Sequence, residues 1–158
     1  MDTIHTEFMR EAIRLAQEGV QNNEGGPFGA VVVKDGIIVG RGNNRVTSSN
    51  DPTAHAEVVA IREACGQLNT FQLTDCTIYT SCEPCPMCLG AIYWARARAV
   101  YFGCTKSDAS DIGFDDSFIY QEMEMDFSQR QIPMIPLLRT EALDVFKTWE
   151  LKTDKLGY

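Results

Sequence analysis

The sequence predicts an α/β fold, a three-layer α-β-α sandwich around a mixed five-stranded sheet. Short β-rich runs at 28–34, 37–42, 77–80, 99–102 and 132–138 alternate with segments of helical spacing. Asp35-Gly36 is a hairpin signal between the first two runs, which makes them an antiparallel pair. The later order of helix, strand, helix, strand calls for parallel pairing through right-handed crossovers.

The elements follow in order. Residues 6–20 read as an amphipathic helix with Met9, Ile13, Ala16 and Val20 as its apolar face. Asn22-Asn23-Glu24-Gly25-Gly26-Pro27 supplies turn chemistry before the hairpin. A polar loop is expected over 43–53. The helix after it has Val58, Ile61 and Cys65 as its apolar face and Gly66 as its stop. A second helix, 85–95, opens on Pro86, where a missing N–H costs nothing. Residues 105–116 form an acidic, glycine-containing loop, and 117–123 a short helix. Pro133 and Pro136 put the fifth strand at a sheet edge, and a helix over 141–151 closes the chain. No repeat, low-complexity tract or linker divides the 158 residues, so residues 1–158 are expected to form a single domain.

Composition narrows the function. The chain is 44% hydrophobic and 23% charged, as soluble globular proteins are. No apolar run is long enough to span a bilayer, and the polar, acidic start lacks the pattern of a signal peptide. The expected compartment is therefore the cytoplasm, where six cysteines stay thiols or bind metal. A net charge of -8 argues against a phosphate backbone and a membrane surface as partners, and for a small-molecule substrate.

The chemistry is concentrated in His55-Ala56-Glu57 and Cys82-Glu83-Pro84-Cys85-Pro86-Met87-Cys88. His55, Cys85 and Cys88 offer one imidazole and two thiolates. Catalytic zinc keeps three such ligands and leaves a fourth position for water, so Glu57 is free to carry that water's protons. Each group sits at the start of a helix, and one strand separates the two helices. Both helix starts then lie at the sheet edge where ligands bind. His55 and Glu57 can converge only in a first helical turn, where side chains reach past the helix end.

Plainer readings compete. Cys85-Pro86-Met87-Cys88 alone could be a redox pair, and Cys82, Cys85 and Cys88 have part of an iron–sulfur spacing without the fourth cysteine. Cys82 could instead close a structural zinc site. Cys65 and Cys76 read as core or loop residues, and His5 as a solvated residue of the terminus. Glu122, Glu124 and Asp126 read as a solvated face, Phe146 and Trp149 as packing for the last helix. Asp115-Asp116 reads as a helix cap.

The paired motif resembles the signature of the zinc nucleobase and nucleoside deaminases, the cytidine/deoxycytidylate deaminase superfamily. Nearly the whole chain resembles the bacterial guanine deaminases within it. That likeness is carried by Gly25-Gly26-Pro27-Phe28-Gly29-Ala30, the stretch from Ser49 to Glu57, Ala91-Ile92-Tyr93-Trp94-Ala95, the stretch from Gly113 to Tyr120, and the terminal Tyr158. The resemblance implies a cytidine-deaminase-like fold and one Zn²⁺ per subunit on His55, Cys85 and Cys88. It implies Glu57 as proton shuttle, Asp116 as a second catalytic group at the exocyclic amine, Asn44 on the purine edge, and Phe28 and Trp94 against the ring. It further implies a homodimer with exchanged C-terminal segments, in which Tyr158 closes the neighbour's pocket. The expected activity is hydrolysis of guanine to xanthine and ammonia in purine catabolism. A tRNA adenosine deaminase or another nucleobase or nucleoside deaminase is the alternative enzyme. A zinc-stabilised interaction domain is the alternative outside enzymes.

Overall fold

The structure, a computed structural model, describes residues 3–158. It divides into two compact units, Met1–Asp116 and Ser117–Tyr158.

The first unit is built on a four-stranded mixed sheet of order β2-β1-β3-β4. Its strands are β1 (Gly29–Lys34), β2 (Ile37–Asn43), β3 (Cys76–Cys82) and β4 (Ala99–Cys104). β1 pairs antiparallel with both β2 and β3, and β3 runs parallel to β4. Asp35 and Gly36 both take positive φ, as the tight hairpin turn requires.

Alternation along the strands separates two cores. Val31, Val33 and Tyr79 face α1 (Thr3–Gln21). Ala30, Val32 and Ile78 face α3 (Ala56–Leu68) and α4 (Pro86–Ala95), so the unit has three layers. A short helix α2 (Val46–Ser49) lies within the expected polar loop, and α5 (Lys106–Asp111) within the expected acidic one.

Helix α1 buries only part of the face expected of it, with Ala16 buried and Met9 packed on the core. Ala12, Ala16 and Gly19 are buried, while Ile13 and Val20 are exposed. Gly29 of β1 explains the choice. An ideal Cβ there would lie 2.1 Å from Ala12 O, so the helix backbone rests directly on the strand. Only small residues permit that approach. The same geometry governs α3, which buries Ala56, Ala60 and Ala64 and leaves Val58, Ile61 and Cys65 half-buried. Helix α3 also runs past Gly66 to Leu68. Asn69, in the left-handed region, ends it by donating its N–H to Cys65 O and Gly66 O.

His5 is not a solvated residue of the terminus. Its Nδ1 lies 2.5 Å from the hydroxyl of buried Tyr79, and its ring stacks on Tyr101 at 4.6 Å.

The second unit contains α6 (Ser117–Glu124), a 3₁₀ turn (Phe127–Gln129) and α7 (Arg139–Leu151). The fifth strand expected at 132–138 does not form, and the sheet has four strands among the described residues. Pro133 and Pro136 cannot donate to a ladder, and the whole run is exposed without a pairing strand. Phe146 and Trp149, expected to pack α7, are exposed as well. No residue of this unit is buried.

Candidate metal centre and active site

Two helix starts build the site. His55 is the N-cap of α3, with extended backbone (φ -70, ψ 154), and Glu57 is in the first turn. Cys85 is the N-cap of α4 (φ -66, ψ 169), Pro86 opens the helix, and buried Cys88 follows in its first turn. An extended cap residue lets its side chain turn back over the first turn, so His55 and Glu57 converge although only one residue separates them. The His55 cap is itself held by the loop before it. Its N–H donates to Thr53 O at 2.8 Å, and Asp51 Oδ1 accepts from Thr53 N at 2.8 Å.

His55 Nδ1 lies 3.5 Å from Cys85 Sγ and 3.5 Å from Cys88 Sγ. All three donor atoms fall within 4.8 Å of one another. Zn–N near 2.0 Å and Zn–S near 2.3 Å at a tetrahedral angle place N and S about 3.5 Å apart. The donor types and the spacing therefore both fit zinc. Among the described residues this is the one such group. Cys82 is not part of it. Its thiol donates to Thr105 O at 3.6 Å, and burial pushes it up to about 11. The closed structural site is thus ruled out in this geometry.

The two thiols differ. Cys85 is held down to about 4, chiefly by the hydrogen bond from Cys88 and further by His55, against the cost of burial. Cys88 is pushed up by the same bond with Cys85 and by burial. Hydrogen bonding to Cys85 raises His55. Zinc binding would call on both sulfurs as thiolates.

Glu57 lies beside the metal group. Its Oε2 accepts from Cys88 Sγ at 3.4 Å, and its Oε1 accepts from Thr80 Oγ1 at 3.4 Å. Burial raises its pKa above the usual carboxylate range. Thr80 gave no signal in the sequence beyond its place in a β-rich run. Its buried hydroxyl on β3 is a functional group that sequence reasoning missed.

The remaining candidates divide. Asn44 is buried, and its Oδ1 accepts from Gly26 N at 3.2 Å and Val46 N at 3.1 Å. The two backbone donors fix the orientation of the amide through its oxygen. Phe28 follows the Gly25-Gly26 turn, and its carbonyl accepts from Asn44 N at 2.9 Å. Burial, and to a lesser degree the charge of Cys85, raises Asp116 above its ordinary value. Trp94 is not brought into this cluster. It is 65% exposed near the C-terminal end of α4. Six residues beyond Cys88 correspond to about 9 Å along the helix axis. Tyr158 belongs to the second unit.

A sequence model of the cytidine and deoxycytidylate deaminase zinc-binding region matches residues 2–104, which contain the whole metal group. The chain belongs to this deaminase family. The matched region is a zinc-binding one, and the chain is a zinc-dependent hydrolase. Within the family, the chain is 55% identical over 154 residues to the guanine deaminase of Bacillus subtilis (strain 168), covering 98% of this chain and 99% of that one. The X-ray structure of guanine deaminase from Bacillus subtilis superposes with a TM-score of 0.95 at 54% identity, covering 100% of this chain and 99% of that one. A tRNA-specific adenosine deaminase of Aquifex aeolicus is 43% identical over 95 residues, covering 60% of this chain and 62% of its own length. Among the described residues, the chain has a four-stranded mixed sheet with helices on both faces. Among the described residues, no helix is long and apolar enough to cross a membrane.

Proposed function

We propose that this deaminase hydrolyses guanine to xanthine and ammonia, as a cytoplasmic enzyme of purine catabolism. The observation that carries the reading is the reach of the likeness. The Bacillus subtilis guanine deaminase matches 98% of the chain, well past the metal-binding region that the tRNA deaminases share.

Bound by His55, Cys85 and Cys88, zinc supplies Lewis-acid activation of water near neutral pH. The chain's own groups do the rest. Glu57 Oε2, on the Cys88 side, takes a proton from the attacking water and delivers it to N3 of the purine. N3 is the unprotonated ring nitrogen beside C2. The water oxygen bonds to C2. The same carboxyl then takes the proton left on that oxygen and, helped by Asp116, passes it to the amine nitrogen, the C2–N bond breaks, and ammonia leaves while the oxygen stays as the xanthine carbonyl. Burial favours this shuttling, since a raised carboxyl pKa brings Glu57 closer to the operating pH. Asn44 Nδ2 donates to the purine edge. Asp116 accepts from the exocyclic amine and moves the second proton. Phe28 packs against the ring.

Trp94 we assign to packing against the ring, and Tyr158 to the pocket of a second copy, in a homodimer with exchanged C-terminal segments. Support comes from the second unit, which buries none of its residues and leaves Ile135, Leu137, Phe146 and Leu151 exposed. Such a surface needs a partner. The two units then work as one functional deaminase domain.

Ammonia release from guanine, adenine, cytosine, cytidine, adenosine and tRNA tests the reading. Guanine is expected to be turned over fastest. Preference for tRNA, with strong salt dependence, would replace it with RNA editing. No release from any member would leave a zinc-stabilised interaction domain.

A further inference from the structure

Phe114 is outside the residues given a role above, yet the scaffold that holds it starts beside the zinc ligands. Glu83, between Cys82 and Cys85, accepts from Lys106 N at 3.0 Å, while its own N–H donates to Cys104 O at 2.8 Å. These bonds tie the start of α5 to the cysteine stretch. Thr105 and Asp108 then close a capping box on that helix. At its other end, Gly113 N donates to Ser110 O at 2.9 Å and Phe114 N to Ala109 O at 3.0 Å. Gly113 takes φ +92, and this left-handed residue turns the chain back.

The turn sets Phe114 edge-on against Phe28, with centroids 4.9 Å apart and planes at 89°. Gly26 fixes both rings from behind. An ideal Cβ on Gly26 would lie 3.1 Å from Phe114 Cζ and 3.1 Å from Phe28 Cδ2. The N–H of that same Gly26 donates to Asn44 Oδ1. Two residues after Phe114 comes Asp116. The aromatic corner is therefore joined through Gly26 to the amide of Asn44 and lies two residues before Asp116 in the chain. Those are the two polar groups assigned to the base in the guanine reading. Phe114 remains 46% exposed, so one side of its ring is open.

We propose that Phe114 is a specificity-determining residue, the second wall of a two-ring slot with Phe28 that accepts a flat bicyclic base. The proposal rests on the guanine reading and adds to it the feature that separates purines from smaller rings. A T-shaped pair offers a base one face and one edge at right angles. A pyrimidine reaching the metal group would leave the Phe114 side of the slot unfilled. One rigid loop then carries both an aryl wall and the Asp116 carboxylate, so shape and amine recognition are set together.

The experiment compares wild type with Phe114→Ala, Phe114→Leu and Phe114→Tyr. Phe71→Ala, on an exposed loop, is the control. Steady-state kinetics with guanine give KM and kcat separately, and calorimetry gives the Kd of xanthine on the zinc-loaded protein. Phe114→Ala is expected to raise KM and the xanthine Kd roughly tenfold, the scale of one base–aromatic contact, with kcat within about threefold. Phe114→Leu should fall between, and Phe114→Tyr should stay near wild type. If Phe114→Ala does not fold, the Leu and Tyr variants carry the comparison. An unchanged KM and Kd, or a loss in kcat alone, overturns the proposal. Wild-type protein that releases no ammonia from guanine overturns the guanine reading instead.

Discussion

Thr80 donates its hydroxyl to Glu57 Oε1 across 3.4 Å, and both side chains are buried on the face of β3 that meets α3. The other carboxyl oxygen, Oε2, lies against Cys88 Sγ. Glu57 is therefore held at Oε1, with Oε2 directed at the metal group, and it is not itself one of the three clustered donors. Glu57→Gln keeps the shape and removes the proton carrier. Zinc content should stay at one per chain by atomic absorption, and guanine turnover should fall by roughly 10²–10⁴-fold. Near-normal ammonia release would remove Glu57 from the mechanism.

Thr80→Val isolates that hold. The side chain keeps its volume, and Glu57 Oε1 loses its donor. A hydrogen bond to a charged group contributes about 1.5–3 kcal/mol, so kcat should drop on the order of tenfold with KM little changed. Thr80→Ser returns the hydroxyl and should recover most of the rate. A purely structural Thr80 would lower the melting temperature in the Val variant without this split between kcat and KM.

How much of this was legible in the sequence differs by element. His55, Glu57, Cys85 and Cys88 announce themselves because donor type and spacing are local signals. The hairpin is equally local, since Asp35-Gly36 states its turn type. The faces of α1 and α3 were read only in part, for a physical reason. Hydropathy picks out Ala16, Ile61 and Cys65, which do pack inward, but also Ile13 and Val20, which are exposed, and it passes over Ala12, Ala56 and Ala60, which close backbone packing selects. The false strand at 132–138 has apolar content but two prolines and no partner. Phe114 and Thr80 acquire meaning only when distant segments meet, one against Phe28 and the other against Glu57.

Metal removal should separate catalysis from folding. Both hydrophobic cores close around β1 and β3, with Val31, Val33 and Tyr79 on one side and Val32, Ile78 and Ala60 on the other. Neither depends on the donor cluster. Chelation should abolish activity while the far-UV dichroism keeps its α/β shape, and melting should remain cooperative at a lower temperature. Added zinc should restore both. Collapse of the helical signal on chelation would instead mark the metal as structural.

Acid should expose a second dependence, at Glu11. Its carboxylate accepts from Arg14 at 2.7 Å and from Arg41 of β2 at 3.2 Å, linking α1 to the sheet. The Arg14 hydrogen bond, ahead of the opposing cost of burial, holds its pKa at about 2, below the usual 4.5. A depressed carboxylate adds stability that is fully present above 4.5 and fades as the pH falls through about 2. Glu11→Gln should therefore lower the melting temperature at pH 7 and match wild type near pH 2. Screening of the exposed arginines limits the difference to on the order of 1 kcal/mol. Equal melting temperatures at pH 7 would show that the pair contributes nothing.

Gly42 and Gly40 allow the fold's control of the site to be measured directly. A Cβ on Gly42 would lie 2.2 Å from Ala56 O, the carbonyl between His55 and Glu57. A Cβ on Gly40 would lie 2.3 Å from Ala60 O, one turn further along α3. Both contacts are with backbone, so each alanine must push the helix off β2, at a cost of roughly 1–3 kcal/mol for overpacking. The two variants should thus lose similar stability in urea unfolding. They should differ in function, because only Gly42→Ala displaces the turn that aims His55 and Glu57. A misplacement near 1 Å can cost about 10²-fold in rate, so Gly42→Ala should lose far more turnover than Gly40→Ala and bind zinc more weakly. Equal activity losses in the two variants would mean that α3 moves as a rigid rod and that the first turn has no special hold on the chemistry.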